Sequence, residues 1–174
     1  MYKLGEIVVE KSVIKEKVRL LADRINQDYA GKDLIVIGVL KGALVFMADL
    51  IRELEMKVTM DFIVVSSYGI DTKTSGVVLL VKDIDTNIEG KHVLVVEDLI
   101  DTGLTLRYLK ELFELRQPAS LEICTFFNKP ARRVVGLNVK YSGMIIEDKF
   151  IVGYGLDYAN QYRNLPDVRA MERD

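Results

Sequence analysis

The middle of this chain contains an apolar run that ends in acidic residues. A small turn then leads into an amphipathic segment. The run is Val93 to Val96, and the turn contains Glu97, Asp98, Asp101, Thr102, Gly103, Leu104 and Thr105. The apolar run indicates a buried strand, and the segment that follows has the apolar spacing of a helix. We therefore predict a strand that leads directly into a helix, which is the repeating unit of α/β folds with parallel sheets.

The same alternation of apolar runs and helical patterns extends along the chain. Helices are predicted at 12–29, 43–55 and 104–116, and strands at 34–40, 58–65, 77–81, 92–96, 121–127, 140–146 and 150–154. Ser12 is predicted to cap the first helix and Gly31 to end it. The second helix is predicted to bury Leu44, Met47, Leu50, Ile51 and Leu54. This order favours a mostly parallel α/β sheet flanked by helices, in a single domain that spans residues 1–174.

Composition and charge restrict the class of protein. The 174 residues are 49% hydrophobic and 29% charged with a net charge of −2, so the chain can bury a core but has no polycationic surface for nucleic acid. Cys124 is the sole cysteine, which excludes an internal disulfide and fits a reducing compartment. No run approaches the roughly 18 apolar residues of a membrane span, and residues 1–17 lack the apolar core of a signal peptide. We expect a cytoplasmic protein without membrane or nucleic-acid partners.

The acidic turn combines groups that suit a phosphorylated sugar. Backbone N–H groups at the start of a helix can bind a phosphate together with the hydroxyls of Thr102 and Thr105, and the helix dipole favours the anion. Glu97 and Asp98 would repel that phosphate, so they are expected to contact a sugar diol or a divalent metal. A ligand that carries both a phosphate and a diol is a phosphorylated ribose.

Two further segments are candidates for the same site, because ligands of parallel α/β sheets bind beyond the carboxyl ends of the strands. Lys41 and Gly42 follow the first buried strand. They form either an ordinary turn or an anion site, in which the glycine lets the backbone approach the ligand and the lysine supplies charge. Ser67 and Tyr68 belong to a polar segment at 66–76 that is either a solvated, mobile loop or a lid over the ligand.

Residues in the last third of the chain could form a pocket for a flat ring. Lys129 follows an apolar strand, where it is either solvated or a hydrogen-bond donor to a carbonyl oxygen of the ligand. Phe150 is either a core residue or an aromatic face on which a base stacks. The backbone of 150–154 could meet the edge of such a base.

Residues 93–106 resemble the phosphoribosyl-pyrophosphate motif of the type I phosphoribosyltransferases. With the segments described above, the resemblance narrows to the hypoxanthine-guanine phosphoribosyltransferase family and covers nearly the whole chain. It implies the type I phosphoribosyltransferase fold, with a small hood formed by the chain ends. It also implies purine salvage, in which the 5-phosphoribosyl group moves from phosphoribosyl pyrophosphate to N9 of hypoxanthine or guanine, giving IMP or GMP and pyrophosphate. Mg²⁺ is the implied cofactor, and relatives imply a homodimer or homotetramer.

The resemblance implies a role for each residue of the site. Asp101 is the general base at N7 of the purine. The implied magnesium contacts are Glu97, Asp98 and Asp157. The implied substrate contacts, which also include those carboxylates, are Lys41, Gly42, Ser67, Tyr68, Thr102, Gly103, Leu104, Thr105, Lys129, Phe150, Ile151 and Arg163. Within this set, Lys41 and Arg163 hold pyrophosphate and Lys129 meets the 6-oxo group. A cis peptide bond between Leu40 and Lys41 is implied as well.

Other functions fit the sequence less well. No Gly-x-x-x-x-Gly-Lys-Ser/Thr segment occurs, which excludes a P-loop kinase or GTPase, and His92 is the single histidine. An enzyme of the same fold that prefers xanthine stays open, whereas Lys129 and Phe150 argue against adenine. A regulator that binds phosphoribosyl pyrophosphate and then nucleic acid also stays open, because the fold alone does not decide function.

Overall fold

The computed structural model describes residues 2–68 and 77–173, without the side chains of Ser67, Tyr68, Val77 and Arg173. In chain order the elements are β1 (Tyr2–Val9), α1 (Lys11–Asp28), β2 (Leu34–Leu40), α2 (Leu44–Arg52), β3 (Val58–Tyr68), β4 (Val77–Lys82), β5 (His92–Ile100), α3 (Leu104–Glu114), β6 (Ser120–Asn128), β7 (Tyr141–Ile145), β8 (Ile151–Val152) and β9 (Val168–Arg173). A 3-10 turn covers Pro130–Arg132.

The central sheet has six strands in the order β4-β3-β2-β5-β6-β7. All neighbours pair in parallel except β3 and β4, which are antiparallel. The predicted α/β fold with a mostly parallel sheet is therefore confirmed. Among the described residues, no helix is both long enough and apolar enough to cross a membrane.

The chain ends form a second, antiparallel sheet of three strands in the order β1-β9-β8. This sheet corresponds to the expected hood. The sequence patterns predicted neither β1 nor β9, because neither strand is a continuous apolar run: charged residues interrupt both segments. The charged segment near the carboxyl end is thus a paired strand.

Two hydrophobic clusters lie on opposite faces of the central sheet. One packs α1 and α2 against side chains such as Val36, Leu94 and Cys124. The other packs α3, through residues such as Leu109 and Phe113, against the opposite face. Parallel strands covered on both faces read as nearly continuous apolar runs, which is why β2 was predicted with its observed ends.

The predicted start of α1 and the predicted end of α2 need correction. Helix α1 begins at Lys11 and its N-cap is Glu10, without a side-chain cap, so the prediction of Ser12 as the cap was wrong. The C-cap of α1 is Tyr29, and Gly31, the predicted stop, follows it with a positive φ. Helix α2 ends at Arg52 instead of residue 55, since the Asn26 side chain bonds the backbone that follows the helix.

The inward face of α2 also differs from the prediction. Met47 and Leu50 are buried, and Ile51 and Leu54 pack against the same cluster from partly buried positions. Leu44 is 50% exposed, so its predicted burial was wrong. A further core residue of α2, which the prediction left out, is the fully buried Phe46.

Strands β3 and β5 extend well beyond their predicted ends. Strand β5 continues through the acidic residues to Ile100, so Glu97 and Asp98 lie within the strand instead of after it. Strand β3 continues to Tyr68 because its end pairs with β4. Residues 66–68 therefore belong to a strand, which corrects the predicted loop, and 69–76 lie outside the described residues.

Asp61 connects β3 to the segment that leads from β4 to β5. Its carboxylate accepts hydrogen bonds from the N–H groups of Asp85 at 2.9 Å and Thr86 at 2.8 Å, and from Phe62 at 2.7 Å. Burial alone would raise the pKa of Asp61, but the hydrogen bonds from Thr86, Phe62 and Asp85 outweigh it and hold that pKa below its usual value. The charged carboxylate therefore stabilises the folded chain.

Replacing this carboxylate should destabilise the protein in a pH-dependent way. We expect Asp61→Ala to lower the free energy of unfolding by about 2–3 kcal/mol at pH 7, because hydrogen bonds to a charged group are lost. The stability that the ionised Asp61 contributes is fully present above its pKa in the unfolded chain, which is about 3.9. It is lost as pH falls through the lower pKa that Asp61 has in the folded chain. Urea unfolding of both chains at pH 7 and near pH 3 measures this difference. If the two chains differ in stability as much at pH 3 as at pH 7, the stabilising role of the charged Asp61 carboxylate is contradicted.

Candidate active site

The parallel pairing of β2, β5 and β6 brings the predicted site segments to one edge of the sheet. Strand β2 pairs with β5 and β5 pairs with β6, so their carboxyl ends lie side by side. Leu40, Ile100 and Asn128 are the last residues of these strands. Lys41, Asp101 and Lys129 follow them directly.

The Lys41-Gly42 turn lies directly against the acidic residues. The peptide bond between Leu40 and Lys41 is cis, as the resemblance implies. A Cβ atom placed on Gly42 would lie 1.9 Å from Oδ2 of Asp98, and one placed on Gly155 would lie 2.2 Å from the carbonyl oxygen of Gly42. No side chain fits at either position, so the turn is held between β5 and the segment after β8.

Glu97 and Asp98 carry adjacent, half-buried carboxyl groups near the end of β5. Burial raises the pKa of Glu97 well above its ordinary value, and the neighbouring Asp98 charge adds to the rise. Burial also raises the pKa of Asp98, and this rise is opposed by hydrogen bonding and by the Arg163 charge. Because the negative charge here is poorly compensated, a cation at this position would be bound favourably.

The turn from β5 to α3 lines a small cavity of about 110 Å³. Its lining residues are Glu97, Leu99, Ile100, Asp101, Thr102, Gly103, Thr105 and Leu106. Gly103 is the N-cap of α3 and has φ of 85°, a conformation that favours glycine. Its position is also crowded, because a Cβ there would lie 2.9 Å from Cδ of Arg133. The start of α3 therefore presents backbone N–H groups and two threonine hydroxyls to a cavity of phosphate size.

A second cavity, of about 340 Å³, lies between β5, the Pro130–Arg132 turn and the segment before β8. Asp101, Lys129, Phe150, Ile151 and Asp157 are among the residues that line it. Four of these are among the expected contacts to the base or its edge, and Asp101 borders both cavities.

Lys129 is only 6% exposed although it carries a charge. Burial lowers the pKa of its ammonium group, against the attraction of Asp101 and Asp148. Its Nζ atom donates a hydrogen bond to the carbonyl oxygen of Lys149 at 2.6 Å. An ammonium group has three donors, so Lys129 keeps donors for a ligand oxygen within this cavity.

Phe150 is 45% exposed, which argues against the reading of this residue as core. Its ring makes edge contacts with Tyr2 and Tyr158, at centroid distances of 5.8 Å in both cases. These contacts hold the ring and leave much of its surface open at the cavity. Such a ring can stack against a flat base.

Asp157 and Arg163 are paired with each other. Nη2 of Arg163 lies 2.6 Å from Oδ1 of Asp157, and Nη1 donates to the carbonyl oxygen of Gly155 at 2.6 Å. Within the described part of the chain, no three His, Cys, Asp or Glu side chains form a group that could hold a metal. The donor set still fits Mg²⁺, which is commonly bound by one or two carboxylates and otherwise by water and substrate oxygens.

Sequence reasoning missed Arg132, Arg133 and Asp148, which also belong to the site. Nε of Arg133 donates to the backbone carbonyl of Asp101 at 3.1 Å. Nε of Arg132 lies 2.6 Å from Oδ1 of Asp148. The neighbouring pair Arg132 and Arg133, shortly after Lys129, could have indicated a role in the site. Neighbouring cations after a turn are usually solvated, however, so the pair did not stand out. The predicted contacts Ser67 and Tyr68 have side chains outside the described residues.

A cavity of about 400 Å³ lies away from the acidic turn, between α1, α2 and residues 163–166. It shares Arg163 with the site but is lined neither by Glu97 and Asp98 nor by the start of α3. The acidic residues and the start of α3 lie at the strand ends, so we assign the reaction site there and not to this larger cavity.

Comparisons with known proteins identify the family of this chain. Residues 7–159 match the family model described as the phosphoribosyl transferase domain. A hypoxanthine-guanine phosphoribosyltransferase of Streptococcus thermophilus is 46% identical over 171 residues, which are 98% of this chain and 95% of that protein. One from Bacillus subtilis is 43% identical over 171 residues, with the same two coverages.

Solved structures resemble the whole chain. A crystal structure of a hypoxanthine-guanine phosphoribosyltransferase from Bacillus anthracis has a TM-score of 0.93 and 47% identity, and covers 99% of this chain and 100% of that one. A hypoxanthine phosphoribosyltransferase of Trypanosoma cruzi has a TM-score of 0.91 and 38% identity, with coverages of 99% and 94%.

A methyl group at residue 42 should disrupt the site without unfolding the chain. We expect Gly42→Ala to lower the affinity for phosphoribosyl pyrophosphate by about 100-fold, because Asp98 or the turn must move by more than an ångström. Titration calorimetry with Mg²⁺ present measures the affinity. Gly136→Ala is the matched control, since a Cβ there meets nothing within 4 Å. Equal affinities in the two variants would exclude close contact with the ligand at the turn.

Proposed function

This chain belongs to the phosphoribosyltransferase family, and we propose that its site carries out the reaction of the hypoxanthine-guanine members of that family. The 5-phosphoribosyl group passes from phosphoribosyl pyrophosphate to N9 of hypoxanthine or guanine, with release of pyrophosphate. The products are IMP and GMP, so the role is purine salvage. The observation that carries this proposal is the position of Asp101, which borders both the cavity at the start of α3 and the cavity that contains Lys129.

The phosphoribosyl part is assigned to the acidic turn and the turn after β2. The start of α3 with Thr102, Gly103, Leu104 and Thr105 binds the 5′-phosphate through N–H groups and hydroxyls. Glu97 and Asp98 face the ribose hydroxyls and the metal. Remote binding of the phosphate orients the ribose and so contributes to the rate.

Cleavage of the bond to pyrophosphate makes the leaving group more negative. Lys41 and the backbone of the Lys41-Gly42 turn stabilise that charge, with Arg163 once it turns from Asp157 to the ligand. Mg²⁺, when bound beside Asp98 and Asp157, supplies further positive charge to the pyrophosphate oxygens. Ser67 and Tyr68 are assigned to a cover over the reacting groups.

The base is recognised by groups around the larger cavity. Phe150 stacks on the purine, and the backbone at Ile151 meets its edge. Lys129 donates to the 6-oxo oxygen, which adenine lacks. Asp101 accepts the proton at N7 while N9 attacks C1′. The absence of a hydrogen-bond partner for its Oδ1 atom among the described residues supports this assignment.

We further propose a cytoplasmic homodimer or homotetramer of single domains that each span residues 1–174. Exposed apolar side chains on β3 and β4 support self-association, since Met60 is 52%, Leu79 49% and Val81 61% exposed. Cys124 is a buried free thiol, which fits a reducing compartment.

Turnover with single bases tests the reaction. The purified chain is mixed with phosphoribosyl pyrophosphate, Mg²⁺ and hypoxanthine, guanine, xanthine or adenine, and nucleotide formation is followed by absorbance. We expect turnover with hypoxanthine and guanine, and Asp101→Asn should lower kcat by about 10²–10⁴-fold while largely sparing nucleotide binding, because an amide cannot accept the proton. Near-normal turnover in that variant would refute the general base. Tight binding without turnover on any base would identify a sensor instead of an enzyme.

Selectivity against adenine should depend on Lys129. We expect Lys129→Met to reduce the ratio of kcat/KM for hypoxanthine over adenine by about 10–100-fold, since the unpaired-donor penalty for adenine disappears. Lys110→Met on α3 is the control, because Lys110 pairs with Glu114 on the helix surface. An unchanged ratio in Lys129→Met would place the selectivity elsewhere.

A further inference from the structure

Arg132 connects the proposed general base to the opposite wall of the base cavity. Its Nη1 atom lies 3.5 Å from Oδ2 of Asp101, and its Nε atom lies 2.6 Å from Oδ1 of Asp148. Asp101 follows β5, whereas Asp148 lies in the segment before β8, and all three side chains line the same cavity. One guanidinium group therefore links residues 101 and 148, which are 47 positions apart in the sequence.

The two oxygens of the Asp101 carboxylate have different surroundings. Oδ2 is the oxygen near Arg132, whereas Oδ1 is buried and has no hydrogen-bond partner among the described residues. A buried acceptor without a partner costs free energy, so such an atom in a site is a position where a ligand donor fits. The contact with Arg132 determines which oxygen is left for that donor.

The other two cations near Asp101 are attracted by its charge but donate hydrogen bonds to groups other than its carboxylate. Lys129 donates to the carbonyl oxygen of Lys149, and Arg133 donates to the backbone carbonyl of Asp101 and to Oδ1 of Asn128 at 2.7 Å. Arg133 thus holds the backbone of residue 101, and Arg132 is the cation paired with its side chain in the described chain. The two adjacent arginines have separate tasks.

Arg132 is itself well placed for this task. It ends the 3-10 turn Pro130–Arg132, and its N–H bonds the carbonyl oxygen of Lys129 at 3.2 Å. The hydrogen bond to Asp148 at 2.6 Å then orients the guanidinium plane. Arginine suits such a bridge because its donors point in fixed directions from a rigid plane.

We propose that Arg132 is a positioning residue, which holds Oδ2 of Asp101 so that Oδ1 faces N7 of the purine. This inference rests on the proposed function, since it assigns the general base to Asp101. Asp148 anchors Arg132 and thereby ties the orientation of the base to the segment that carries Phe150. A purine that enters the cavity meets a carboxylate whose direction is already set, which is the condition for efficient proton transfer.

A stabilising role alone does not account for this arrangement. The side chains of Arg132, Asp101 and Asp148 are 52%, 37% and 44% exposed. Ion pairs at such exposure contribute little to folding stability. Loss of Arg132 should therefore leave the fold intact and appear in the catalytic step.

The first measurement is the kinetics of Arg132→Ala and Arg132→Lys with hypoxanthine. We expect Arg132→Ala to lower kcat by about 10–100-fold, the size of effect that misplacement of a catalytic group produces. The KM for phosphoribosyl pyrophosphate should change by less than about 3-fold, because Arg132 does not touch the phosphate cavity. Arg132→Lys should recover part of kcat by restoring a point charge. Arg116→Ala is the matched control, since Arg116 pairs with Asp83 at 2.6 Å near the other end of α3.

The second measurement asks whether Arg132 acts through Asp101. In an Asp101→Asn background, Arg132→Ala should change kcat by less than about 2-fold, because residues that act as a unit are not additive. Equal fold losses in both backgrounds, or a change in KM without a change in kcat, would overturn the inference. Wild-type turnover tests the proposed function separately. Additive losses in an active enzyme would therefore refute only the role of Arg132, whereas an inactive wild-type chain would refute both.

Discussion

The parallel pairing of β2 with β5 is the constraint on which the rest of the site depends. It aligns Gly38 with Val96, so both strands end at the same edge and the Lys41-Gly42 turn meets Asp98. The contact is so close that no Cβ fits on Gly42, and the carbonyl of Gly42 in turn excludes a side chain at residue 155. Sheet register, turn and distal loop are therefore coupled through direct backbone contacts. A shift of either strand would separate the groups proposed to hold pyrophosphate from those proposed to hold ribose.

The electrostatics of the site follow from where charge is buried. Two adjacent carboxyl groups share a poorly solvated position at the end of β5, and burial raises the pKa of both. This arrangement costs stability in the free chain and favours a bound cation. The two hydrophobic cores, one on each face of the central sheet, stabilise the fold and offset this cost. The same two carboxyl groups that destabilise the free chain are therefore the ones that favour a bound cation.

Several cations of the site already have partners within the chain. Arg163 pairs with Asp157, and Lys129 bonds the carbonyl of Lys149. These contacts satisfy buried or half-buried charges and hold the side chains near their proposed ligands. A substrate then exchanges one set of partners for another, which costs less than ordering a free side chain. Arg132 differs, because in the proposed mechanism it keeps its protein partners throughout.

The sequence by itself determined the parallel α/β core and the local chemistry of each turn. Strands covered on both faces are continuous apolar runs, as in β2, and acids or glycines after them mark the turns. Tertiary structure decided the rest, because it depends on contacts between residues distant in the chain. Strands β1 and β9 are stabilised by pairing with each other, so their own sequence patterns were uninformative. Likewise, the bridge from Asp101 through Arg132 to Asp148 arises only where separate loops meet in space.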